Sequence, residues 1–282
     1  MAFDKLVRWD GKEILGVRST GSSVFAALDW RDLALEPTGE AIIRKAFQPA
    51  PRSLQAFPRE HYADLKRVLG HYSSVQSLNS EDTVTWSVFG GSRSTTWISS
   101  LFRSAFNSMV DQQSWKVSLW KRTIHPETGI EQQGPEADVV ISSDESYFAV
   151  EAKWTADIDA EQGVRKNLTQ LDMRYASVLK TGLPKTTRGV LVIAPGPEKY
   201  AYARRRTSCF HRYFRISENK YKPTDLAMGI EAKAITWEGV LAILETYPEY
   251  GQAAQYLRWR LLHLNPSGVD RGCNLAFGNP IQ

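Results

Sequence analysis

Hydrophobic and polar positions along the chain change period several times, and each change marks an element. The run NSEDTVTWSVF, from Asn79, reads as a helix: Asn79 or Ser80 stands at the N-cap, and two acids follow in the first turn, where the helix dipole favours them. Gly90-Gly91 interrupts it, and STTWISSLFRSAFNSMV resumes with Trp97, Leu101 and Phe102 at helical spacing. Three strands follow, WKVSLWKRTI and two within PEADVVISSDESYFAVEAKW, residues 135–154. In GVRKNLTQLDMRYASVLK, the residues Val164, Leu168, Leu171, Tyr175, Val178 and Leu179 line one face of a predicted helix. RGVLVIAP reads as a buried strand and AKAITWEGVLAILETY as a strand running into a helix. Helix, three strands, helix, strand, helix, strand, helix: this order predicts an α/β fold with one mixed sheet between helices.

The second strand of the 135–154 hairpin is unusual, because charge lies inside it. Side chains alternate between faces with a period of two. Phe148, Val150, Ala152 and Trp154 share one face, and Tyr147, Ala149, Glu151 and Lys153 the other. On the first strand Val139 and Ile141 oppose Glu136 and Asp138. A two-residue turn at Asp144-Glu145, or any even-numbered loop with that centre, sets Asp138 directly across from Glu151. Two carboxylates at that spacing, about 5 Å between Cβ atoms, repel unless a cation lies between them. A hard divalent cation such as Mg²⁺ takes oxygen ligands and keeps waters for chemistry. Lys153 on the same side could position or activate an attacking water and neutralise charge on a phosphodiester. The same alternation also fits a solvated hairpin face on which Glu151 and Lys153 form a weak surface pair.

Composition sets the bounds. The chain of 282 residues, 42% of them apolar, is expected to be globular, and no run of eighteen apolar residues or signal-peptide pattern is present. It is therefore expected to be cytoplasmic and away from membranes. Cys209 and Cys273 have no metal-ligand spacing around them, and His125, His211 and His263 are isolated, so zinc is not indicated. The formal charge of +4 is weak evidence of an acidic partner, but residues 201–215, AYARRRTSCFHRYFR, gather five arginines among aromatics with no acid. Arg204, Arg205, Arg206 and Arg212 are candidate nucleic-acid contacts, with a solvated helix face as the alternative. Residues 1–78 read as an N-terminal extension with the strand-like pieces KLVRW and SVFAALDW and two helical pieces; 79–247 read as the core, and 248–282 as a C-terminal helix and tail.

Asp138 followed by Glu151-Ala152-Lys153 resembles the signature of the PD-(D/E)XK nuclease superfamily, the restriction-endonuclease-like fold, and the surrounding pattern fits from about Asn79 to Tyr247. In the first motif Pro135 is separated from Asp138 by Glu136 and Ala137, and Glu136 shares the face of Asp138. The resemblance implies an acid on the helix before the sheet, for which Glu81 is the closest match and Asp82 the substitute. It also implies polar residues on the helix after the E-x-K strand: Gln170, with Asn167 and Arg174 on its face. The implied activity is an Mg²⁺-dependent nuclease, with Mn²⁺ able to substitute. Asp138, Glu151 and Glu81 would be the metal ligands, with Lys153 and Gln170 catalytic. DNA is the expected substrate, in a restriction, phage-defence or repair setting. A homodimer, or a partner protein supplying specificity, would fit. An RNA-cleaving enzyme and a catalytically silent nucleic-acid-binding or scaffold protein are the alternatives.

Overall fold

The computed structural model describes residues 3–18, 24–26, 35, 75, 77–90, 95–106, 114–125, 130–131, 134–154, 161–162, 168–169, 173–175, 177–178, 187–195 and 230–263. At its centre lies a five-stranded mixed sheet flanked by helices. Three short strands come first: β1 (Phe3–Val7), β2 (Glu13–Arg18) and β3 (Val24–Ala26). Helices α1 (Glu81–Phe89) and α2 (Thr96–Phe106) lead into β4 (Lys116–Arg122), β5 (Glu136–Ser142) and β6 (Ser146–Ala152). After the two-residue strands β7 (Glu161–Gln162) and β8 (Leu168–Thr169) come β9 (Thr187–Ala194), β10 (Ile230–Thr236), α3 (Trp237–Leu244) and α4 (Gly251–Leu262).

The central sheet runs β10-β9-β6-β5-β4. Strands β4, β5 and β6 are antiparallel neighbours, while β6, β9 and β10 are parallel. Strand β6 is buried along its whole length and β9 nearly so, which is why their sequences show apolar residues on both alternating faces. Phe148, Val150, Leu191 and Ile193 face the larger core, against Val84 and Val88 of α1, Ile98 and Leu101 of α2, and Val240 and Leu244 of α3. Phe102 stacks on Phe148 with ring centroids 4.0 Å apart. Tyr147, Ala149, Val190 and Val192 face the other way, covered by Tyr175 and Val178 from the helical residues 173–175 and 177–178.

Helix α1 starts as its sequence predicts. Ser80 is the N-cap, its Oγ accepting the Thr83 N–H at 3.3 Å, and Glu81 and Asp82 fill the first turn. The helix ends at Gly90, whose N–H donates to Trp86 O at 2.7 Å; a Cβ there would lie 2.5 Å from that carbonyl.

Two elements differ from expectation. The predicted helix over 163–180 does not begin at its apolar pattern, because Leu168–Thr169 pairs antiparallel with Glu161–Gln162. β-branched Thr169 is a weak helix former, and its cross-strand pairing with Glu161 takes the place of a helical turn. In the N-terminal extension β2 is the unexpected strand: it pairs with β1, which overlaps KLVRW, and with β3, which lies in SVFAALDW, as an antiparallel meander. Its β1–β2 turn places Gly11 at φ +84°, a conformation glycine adopts without strain. The meander's Leu6, Trp9 and Ile14 pack on Tyr256 and Trp259 of α4, and Trp259 Nε1 donates to Val7 O at 2.5 Å. Among the described residues no helix is long and apolar enough to cross a membrane.

Candidate active site

The β5–β6 hairpin closes with the even register. Ser143 N–H donates to Ser146 O at 3.0 Å across Asp144-Glu145, and Ser143 Oγ accepts the N–H groups of Glu145 and Ser146. Val139 pairs with Val150, Val140 with Ala149 and Ile141 with Phe148. The regular ladder then stops one step short of Asp138 and Glu151. There the Asp138 carboxylate takes over, Oδ2 accepting the Ala152 N–H at 2.8 Å. The ladder is interrupted on the opposite side as well. Leu119 pairs with Val139 and Lys121 with Ala137, but Trp120 between them adopts φ +46° and pairs with nothing in β5. A non-glycine residue in this region is strained. The Trp120 ring lies edge-on to Trp86 of α1, with centroids 6.3 Å apart. Asp138 therefore sits in a local gap between two strands, with only its Oδ2 committed.

Lys153 continues β6 past its last residue. Its N–H donates to Ile193 O at 2.8 Å, and its carbonyl accepts Trp237 Nε1 at 2.8 Å. Both bonds fix the backbone, so the side chain has one direction to go. Its Nζ lies 2.7 Å from Glu151 Oε1 and 3.5 Å from Glu81 Oε1. Glu81 grips the same segment a second time, since its Oε2 accepts the Trp154 N–H at 2.8 Å. Glu151 Oε2 accepts Arg174 Nε at 2.6 Å. Glu151 is 0% exposed and the side chains of Lys153 and Arg174 only 3%, whereas Glu81 keeps 25% of its side chain in solvent.

Three carboxylates and two cations share this space, leaving one uncompensated negative charge. Asp138 carries most of the consequence. Burial first, and then the neighbouring Glu151, push its pKa well above the usual range, against the opposing pull of Lys153. Glu81 is also raised, chiefly by burial, although Lys153 and the Trp154 N–H act the other way. For Lys153, burial favours the neutral amine, but Glu151, Glu81 and Asp138 outweigh it and its pKa rises. The ammonium is thus held protonated at any physiological pH.

These residues resolve several expectations. Asp138, Glu151 and Lys153 come together as the alternation predicts, and Glu81 meets them from the helix on which the resemblance implies an acid. The first-turn acid that meets Lys153 is Glu81; Asp82 acts on it only as a nearby charge. Arg174, expected to contact nucleic acid, is instead buried against Glu151. It also shares no continuous helix with position 167, because Leu168–Thr169 is extended. Gln170, Asn167, Arg204, Arg205, Arg206 and Arg212 lie outside the described residues, as do Cys209 and Cys273. Nothing in the sequence singled out Trp120, Trp237 or Arg260, a buried α4 residue whose Nη2 donates to Ser80 O at 3.0 Å.

The donor set suits a hard cation. Asp138 Oδ1 has no hydrogen bond among the described residues, and Glu151 lies next to it in register. Among the described residues no three His, Cys, Asp or Glu side chains are gathered closely enough to enclose an ion on their own. A cation held here would rest on Asp138 and Glu151, with water or substrate oxygens completing its shell, as Mg²⁺ prefers. Comparison with protein-family models, curated proteins and solved structures finds no match to this chain.

Proposed function

We propose that this protein is an Mg²⁺-dependent nuclease of the PD-(D/E)XK type, hydrolysing phosphodiester bonds in DNA on a restriction-endonuclease-like core. The observation that carries the reading is the buried Lys153 ammonium, held between Glu151 and Glu81 beside an Asp138 with one carboxylate oxygen not hydrogen-bonded among the described residues. Burying Glu151, Lys153 and Arg174, with Asp138 and Glu81 half-buried beside them, costs stability that apolar residues would not. Such an arrangement is more readily explained by chemistry than by folding.

A divalent cation bound by Asp138 and Glu151 would polarise a phosphate oxygen. The chain's own residues supply the rest. Lys153 stays protonated, so it does not serve as a base; its N–H groups orient the attacking water and stabilise charge growing on the phosphoryl oxygens. Glu81 holds Lys153 and keeps 25% of its side chain in solvent, so it is placed to accept the proton that water loses. Water oxygen bonds to phosphorus, the ester P–O bond breaks, and the products carry a phosphate monoester and a hydroxyl. Arg174 fixes the Glu151 carboxylate plane through Nε. Cutting both strands of a duplex would call for two such sites, hence a homodimer.

The test is incubation of the purified protein with supercoiled plasmid, linear duplex, single-stranded DNA and RNA, with Mg²⁺ or with EDTA. Cleavage of DNA that needs Mg²⁺ and is lost in Lys153→Ala is the expected result. Failure to cut any of the four substrates overturns the reading. A second reading is a silent nucleic-acid-binding protein of the same fold. It is favoured by one fact: both Glu151 oxygens are already engaged, by Lys153 and Arg174. Binding without Mg²⁺-dependent cleavage would select it.

A further inference from the structure

Arg260 lies on α4, outside the sheet and its hairpin, yet it is only 1% exposed. A buried guanidinium is costly unless its surroundings are built for it. Its Nη2 donates to the carbonyl of Ser80, the N-cap residue that immediately precedes Glu81. Its guanidinium carbon also lies 5.5 Å from the centroid of Trp154 and 5.9 Å from that of Tyr256. Trp154 is the residue whose N–H Glu81 holds. Arg260 therefore touches both ends of the Glu81–Trp154 hydrogen bond from behind: the backbone that carries the acceptor and the ring attached to the donor. On its other side Trp154 meets Trp237 edge-on at 5.7 Å, and Trp237 Nε1 holds the Lys153 carbonyl. Backbone on each side of the Lys153 ammonium is thus tied to a helix that follows the sheet.

We infer that Arg260 is a positioning residue of the proposed active site. In this role α4 is a working part of the centre, because Arg260 sets the distance between the start of α1 and the end of β6 and so the place of Glu81 against Lys153. This role rests on the nuclease reading for its catalytic consequence, but the positioning itself does not. A carbonyl acceptor and an aromatic face are both satisfied by a planar guanidinium, which donates in its plane and stacks with its face. Lysine supplies the charge without the plane, and methionine supplies the volume without either.

The experiment compares Arg260→Met and Arg260→Lys with the parent in two measurements. In the first, amide hydrogen exchange is followed by NMR. Arg260→Met should speed exchange of the Trp154 amide at least tenfold while leaving Val150 and Leu191, in the same core, unchanged. A merely structural role would instead speed all three together. In the second, kcat on cleaved DNA should fall by about 100-fold with KM unchanged, the expected scale for misplacing a catalytic group by about 1 Å. Arg260→Lys should show the same selectivity with a smaller loss, and it decides the question should the Met variant fail to fold. An unchanged Trp154 amide in either folded variant overturns the inference. If no substrate is cut by the parent while Trp154 exchange accelerates as stated, the nuclease reading falls and the positioning role stands.

Discussion

Asp138 is the residue at which stability and activity pull apart. Its folded-state pKa is raised, so its favourable contribution is fully present below its unfolded value and is lost as pH rises through the folded value. Above that point the ionised carboxylate works against the fold. Asp138→Asn keeps an oxygen for the Ala152 N–H and removes the charge. It should raise the melting temperature at pH 8, leave it nearly unchanged at pH 4, and abolish cleavage. Mg²⁺ should stabilise the parent at pH 8 and not this variant, since a ligand stabilises only a state that binds it; thermal melts at the two pH values with and without Mg²⁺ check the stability statements, and the plasmid assay checks the loss of cleavage. Lys153→Met acts in the opposite sense. It leaves Glu151 and Glu81 without their shared cation, and breaking a buried pair from one side costs about 3–5 kcal/mol. A melt shifted down together with lost cleavage is expected, and an unshifted melt would show that the Lys153 pairs contribute nothing to folding. At this scale the sequence was informative where charge interrupts a period-two pattern, as at Asp138, Glu151 and Lys153. It read Arg174 as a nucleic-acid contact and passed over Arg260, because an arginine on a helix reads as outward-facing whether or not the fold happens to bury it.

The hairpin turn decides the register, and the register decides the site. Two residues, Asp144-Glu145, bring Asp138 beside Glu151; one more residue would move every side chain of one strand to the opposite face. Inserting a glycine between Asp144 and Glu145 should therefore lower the melting temperature sharply and eliminate cleavage. Asp144→Asn with Glu145→Gly, a pair suited to two-residue turns, should preserve both. If the insertion variant still cuts DNA, the cross-strand placement of Asp138 is not required. The hairpin was readable in the sequence because two apolar runs flank a polar centre, and the charges within them recur with a period of two. The 163–180 segment was not, since its apolar residues also satisfy a helical period while Leu168–Thr169 is claimed by a strand partner at Glu161–Gln162. Trp120 shows a further limit. Its residue type fits a strand well, and only the assembled sheet reveals that the chain turns left-handed there, opposite Asp138.

Across the whole molecule the N-terminal meander and the site are joined through one helix. Trp9 sits edge-on to Tyr256 at 5.3 Å and to Trp259 at 5.4 Å, and Tyr256 in turn lies under Arg260. Leu6 and Ile14 pack against the same cluster. The meander therefore supports the face of α4 that carries Tyr256 and Trp259, and α4 supports the start of α1 through Ser80. Removing the Trp9 ring should loosen that support at its far end. Trp9→Ala is expected to cost about 1–3 kcal/mol, less than truncating a fully buried aromatic, because Trp9 is half-buried. Beyond that loss it should also reduce kcat at temperatures where the variant remains folded, because α4 is then free to settle differently against Ser80 and Trp154. The outer face of the same meander provides the control. Leu15 is 48% exposed there, so Leu15→Ser should change neither the melt nor the rate appreciably. Denaturant titration of both variants, followed by single-turnover cleavage at a temperature well below each midpoint, separates the two effects. A Trp9→Ala variant that is destabilised yet cuts at the parental rate when folded would confine the meander to a stabilising role and leave Arg260 held by the core alone.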